Sequence, residues 1–173
     1  MEYNDTTFWS LLNKYGKRRL LLSVDFILAL VLSLLFVYVA NNLGLASTLF
    51  KSTEPIYAAV ASGMIAIVIA ALAIVVSMSD NDFITLLKKY EAYEDILFLF
   101  WYSAVLAGIA ILLDVVGSIS TTIVANPNII IVYFFFSSFF TAYAAFAVVL
   151  SIGTVKRYGL YRAEIARVKK DKK

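Results

Sequence analysis

The sequence predicts an all-α polytopic membrane protein, with four transmembrane helices arranged as two hairpins and both termini cytoplasmic. Three observations predict it. The runs 20–40, 56–78, 96–119 and 129–155 are apolar, and each has at least the roughly 20 residues that a helix needs to cross a bilayer core. The second and fourth runs contain no charged residue. Of the 15 Lys and Arg residues, all but Lys51 fall on one side of a four-span arrangement.

The composition agrees with this class. The chain of 173 residues is 62% hydrophobic, with a mean hydropathy of +0.85, and a soluble domain of that size has no interior for four such runs. Four spans leave only short connections, so residues 1–173 read as one domain.

The elements follow in order. Residues 1–19 read as a cytoplasmic interfacial segment carrying Lys14, Lys17, Arg18 and Arg19. No cleavable signal peptide is expected, because the first apolar run is too long for a signal core. Residues 41–55 read as an outside loop. The segment 79–93 has N-cap character at Ser79–Asp82, then an apolar face of Phe83, Leu86, Leu87 and Tyr90 beside Lys88 and Lys89. It reads as an interfacial helix ahead of the third span. The connection 120–128 contains Asn126-Pro127-Asn128, a turn signal that makes the last two spans a tight hairpin. The tail 156–173 is basic, and Tyr161, Ile165 and Val168 have the spacing of a short amphipathic helix lying on the membrane.

By the positive-inside rule, the basic segments are cytoplasmic. The plasma membrane is the expected location. Lys156, Arg157, Arg162, Arg167, Lys169 and Lys170 are expected to face lipid or a partner, chiefly the anionic inner leaflet. No nucleic-acid partner is expected.

An internal repeat is also legible. Residues 8–15 read FWSLLNKY and residues 83–90 read FITLLKKY, with five of eight positions identical. A tandem duplication of one interfacial segment plus two spans explains this, as does convergence on residues favoured at membrane interfaces.

Absences bound the chemistry. With no cysteine there is no thiolate nucleophile and no cysteine-ligated metal. With no histidine the usual general base, haem ligand and commonest metal ligand are missing, so Ser-His-Asp catalysis is excluded. No phosphate-binding glycine loop or metal-ligand helix is present. The chain is therefore expected not to be an enzyme and to carry no cofactor.

Small residues predict how the spans pack. Ala58, Ser62, Ala66 and Ala70 recur every four positions in the second span, with Ala59 and Gly63 beside them. Such stripes let helix backbones approach closely in lipid. The third span offers Ser103, Ala107, Ala110 and Ser118, and the fourth Ser137, Thr141 and Ala145 beside Ser138 and Ala142. The rings of Phe134, Phe135, Phe136, Phe139 and Phe140 are expected mostly to face lipid or a neighbouring subunit.

Asp25 and Asp114 are the only acids within the spans. An ionised Asp at mid-span costs roughly 2.5–3.5 kcal/mol on insertion scales, which makes each a site candidate. Asp25 lies close enough to Arg18 and Arg19 to pair with them. Asp114 has no base in the outer half of any span. Depth along the helices places Ser62, Tyr133, Ser137 and Ser138 at its level, and the two acids are too far apart to act as a dyad. Asp114 is thus either a polar anchor or a proton or cation site.

The expected function is a non-catalytic integral membrane subunit or interaction protein of a larger assembly, meeting a membrane partner or a second copy of itself. The alternative is a small oligomeric ion channel, pore or proton-coupled transporter using Asp114. A membrane-disrupting effector is a third reading, and a lipid-modifying enzyme is the least favoured.

Overall fold

The computed structural model describes residues 23–78, 92–123 and 126–171, nearly all of them helical. Among the described residues four helices form: α1 (Val24–Asn42), α2 (Ala46–Met78), α3 (Ala92–Ile123) and α4 (Pro127–Asp171). The stretches Val24–Asn42, Thr48–Ser77, Ile96–Ser120 and Asn128–Ala163 are each long and apolar enough to span a membrane, which points to an integral membrane protein. The expected interfacial helices, and both copies of the FWSLLNKY-like motif, lie outside the described residues.

The helix ends are set by local chemistry. Ser23 caps α1, its hydroxyl accepting from the Phe26 N–H at 3.2 Å, and Asp25 sits in the first turn. There a carboxylate meets the positive end of the helix. At the other end Gly44 adopts φ +63°, a conformation glycine enters without penalty. Its N–H donates to Asn41 O, and the Leu45 N–H donates to Ala40 O, each at 3.0 Å. This paired closure is the Schellman stop. The next helix begins at once, so the expected loop 41–55 shrinks to Leu43–Leu45. The residues assigned to that loop, Lys51 and Pro55 included, are helical in α2. Pro55 lacks the N–H that would bond Lys51 O, and α2 continues through it. Thr53 Oγ1 donates to Leu49 O at 2.7 Å, and Ser52 Oγ to the same carbonyl at 3.0 Å.

Between α3 and α4 the expected tight hairpin is present. Asn126 Oδ1 accepts from the Asn128 N–H at 3.0 Å, and Asn126 O accepts from the N–H groups of Ile129 and Ile130. Pro127 occupies the first helical position, where its missing N–H costs nothing. The tail departs from expectation, because no break separates it from the last span. At 45 residues α4 is about 67 Å long, more than twice a bilayer core of about 30 Å.

The helix α4 is central and packs on all three others, while α1 leans on α4, barely meets α2 and hardly touches α3. The contact faces are regular. Ala29, Ser33 and Ala40 of α1 are buried. In α2, beyond Phe50 near its start, the buried residues are Ala61, Met64, Val68, Ala71 and Val75, alternating steps of three and four. That spacing is the seam of a left-handed bundle. In α3 the buried line is Ser103, Ala107, Ala110, Asp114 and Gly117, which is the expected face except that Gly117 replaces the partly buried Ser118.

Two predicted faces are corrected. Ser62, Gly63, Ala66 and Ala70 of α2 are exposed on the outside of the bundle, not packed within it. In the aromatic cluster of α4, Phe134 and Phe139 are buried and only Phe136 is well exposed. The reason for both is the central place of α4: its rings meet a neighbour on nearly every side, and α2 needs only one edge to reach them.

Candidate functional site

Two apolar clusters fill the bundle. At the end holding the α1–α2 and α3–α4 turns, Ala40, Phe50, Ile130 and Phe134 pack together. Phe50 is fully buried and meets Phe134 edge-on, with centroids 6.2 Å apart. Gly117 makes this possible, since a Cβ there would lie 2.8 Å from Phe50 Cζ. The larger cluster, toward the tail end, includes Met64, Val68, Phe100, Leu106, Phe139 and Tyr143.

Asp114 lies between them. It follows Ala110 and precedes Gly117 on the buried line of α3, and only 1% of its surface is exposed. Ser137 of α4, also fully buried, donates its hydroxyl to Asp114 Oδ1. Beside it Ser138 shares a hydrogen bond with Tyr57 of α2 at 3.2 Å. Thr141 continues the same face of α4 one turn further on, and is 7% exposed. Asp114 Oδ2 and Thr141 Oγ1 are buried and have no hydrogen-bond partner. This is a layer of polar groups from α2, α3 and α4 at one level of the bundle, in which Ser137 is the hydroxyl bonded to the carboxyl.

The antiparallel register of α3 on α4 builds that layer. Ser120 meets Tyr133 at 3.3 Å, Asp114 meets Ser137, and Ser103 meets Ser151 at 2.9 Å. These polar pairs form a ladder along a single seam. At the third rung each hydroxyl also reaches a carbonyl of its own helix, Leu99 O or Ala147 O. A hydroxyl has one proton, so one of the two donates across the seam while the other donates along its helix.

The expected site residues therefore separate. Asp114 and Ser137 are in direct contact, and Ser138 stands beside them with its bond to Tyr57. Tyr133 joins the seam one rung away, through Ser120. Ser62 does not reach the layer: it is exposed and donates to Ala58 O of its own helix at 2.8 Å. Asp25, partly buried at the far end, takes its place in the cap of α1. Lys156 and Arg157 are exposed on the continuous tail helix, and Arg162 is partly so. Arg167, Lys169 and Lys170 follow on the same helix, with side chains outside the described residues.

Sequence reading missed Tyr57 and Thr141 as members of the layer. Thr141 had a visible signal, standing one helical turn from Ser137. Tyr57 had none, because its membership depends on how α2 is rotated against α4.

A second feature lies near the tail end. Tyr102 and Tyr143 share a hydrogen bond of 2.5 Å. They line a half-open cleft of ≈ 280 Å³ together with Ser23, Phe98, Thr154 and Tyr158. Among the described residues no group of His, Cys, Asp or Glu side chains is placed to hold a metal ion. Comparison with protein-family profiles, curated proteins and solved structures finds no match to this chain.

Proposed function

We propose that this protein is a non-catalytic membrane subunit that joins a larger assembly through the outward face of α2. The observation that carries the reading is Gly63. A Cβ added there would meet nothing within 4 Å, as at Gly108 of α3 and Gly153 of α4, and what sets Gly63 apart from those two is the run of small exposed residues around it. Glycine within a helix costs about 0.5–1 kcal/mol relative to alanine. Gly63 sits among Ala59, Ser62, Ala66 and Ala70, all exposed. A face of that kind suits a second helix at close range in lipid. In orientation the reading keeps both termini on the cytoplasmic side, with Lys156 and Arg157 at the anionic leaflet.

The rival, an oligomeric channel with Asp114 on its path, has less support. A pore between copies is lined by the outer faces of bundles, and Asp114 faces the inside of its own.

The test uses the natural absence of cysteine. Single substitutions Ser62→Cys and Ala66→Cys are expected to give cross-linked species in membranes under oxidation or with a short thiol cross-linker. Leu112→Cys and Val149→Cys, exposed on α3 and α4, serve as controls and are expected to give none. Native mass measurement of gently solubilised protein then identifies the partner. A strictly monomeric mass, with no cross-link at positions 62 and 66, defeats the reading.

A further inference from the structure

We propose that Asp114 is a proton-binding site enclosed within a single bundle. Its carboxyl holds a proton at neutral pH and accepts from Ser137, beside the hydroxyls of Tyr57, Ser138 and Thr141.

Enclosure is the first argument. Asp114 is 1% exposed and lies between two apolar clusters. An ionised carboxylate there needs a positive partner or a full set of donors. Among the described residues it has neither. Lys51 is exposed, and Lys156, Arg157 and Arg162 lie at the tail end. One donor, the Ser137 hydroxyl, serves Oδ1, and Oδ2 is served by none. Charges left so are expelled from low-dielectric surroundings or neutralised.

The second argument selects the neutralising species. A divalent or transition-metal ion takes several ligands, with more than one carboxylate, imidazole or thiolate among them. No ligand cluster of that kind occurs among the described residues. A proton needs one oxygen, and Oδ2 is the oxygen without a partner. Bound there, it makes the acid neutral while Oδ1 continues to accept from Ser137. The titratable groups around it are Glu54 and Tyr57 of α2 and Tyr133 of α4. Tyr38 of α1, at the same end, is exposed, and Glu54 is the acid in electrostatic reach.

The consequence is a coupling. Release of the proton to water leaves a negative charge between two apolar clusters, at the level where α2, α3 and α4 meet through hydroxyls. Proton loss and opening of that layer therefore occur together. This holds for one chain and is independent of any contact through α2.

Infrared spectroscopy of the full-length protein in lipid vesicles tests it. At neutral pH a protonated carboxylic acid C=O band is expected, shifted in deuterated buffer and absent in Asp114→Asn. Ser137→Ala keeps the acid and removes its donor, so the band is expected to persist at higher frequency. That variant also decides the matter if Asp114→Asn does not fold. The proposal is overturned if the acid band is missing, if Asp114→Asn removes an ionised carboxylate band instead, or if Ser137→Ala leaves the acid band unmoved.

Discussion

The seam between α3 and α4 and the outward face of α2 are built from the same kinds of residue and meet opposite fates. Along the seam, Ser103, Ala107, Ala110 and Gly117 are buried within the bundle. On α2, Ser62, Gly63, Ala66 and Ala70 are open. The clearest pair is Gly117 and Gly63. The first has the Phe50 ring where its side chain would be, and the second has nothing. Small residues thus permit close approach, and only the neighbours show whether the same chain takes it up.

This comparison can be broken or sharpened by mutation. The largest effect is expected from Phe50→Ala, which empties the cluster below Gly117. A loss of about 3–5 kcal/mol is the usual cost of removing a buried phenylalanine ring. Reversible unfolding in mixed micelles measures it, and a loss below 1 kcal/mol would show that Phe50 is not seated on Gly117. Next comes Gly117→Val. Overpacking costs about 1–3 kcal/mol, and combination with Phe50→Ala should recover part of it. The equivalent change Gly63→Val is expected to leave the stability of one chain within about 0.5 kcal/mol while abolishing cross-linking through position 66. If Gly63→Val unfolds the monomer instead, the distinction between the two glycines fails. The smallest effect belongs to the Ser103–Ser151 rung. A double-mutant cycle to alanine should give about 0.6 kcal/mol of coupling, typical of interhelical hydrogen bonds in lipid. A value near zero would mean that the two hydroxyls serve only their own helices.

Much of the fold was legible in particular residues. Four apolar runs became four helices, and Asn126-Pro127-Asn128 became the expected turn. The buried line of α3 was readable from its spacing, Asp114 included, and so was the neighbourhood of Asp114 with Ser137. Other elements were not. Pro55 read as a boundary, yet α2 runs through it, at the loss of one backbone hydrogen bond. The true boundary was Gly44, a single residue whose meaning lies in its positive φ. The Phe134–Phe140 rings read as lipid-facing, since hydropathy treats lipid and a neighbouring helix alike.

The sequence by itself determined that the chain is helical, that its helices suit a membrane, that cysteine and histidine chemistry is absent, and that one deep acid lacks a nearby base. These follow from run length, composition and depth, which are properties of each helix alone. Only the tertiary structure decided which way each helix turns. It placed α4 at the centre, left the small face of α2 outside, and enclosed Asp114 with Ser137. The physical reason is that rotation about a helix axis leaves hydropathy along the chain unchanged. It is settled by side chains that fit, such as Phe50 over Gly117, and by polar atoms that find partners across the seam.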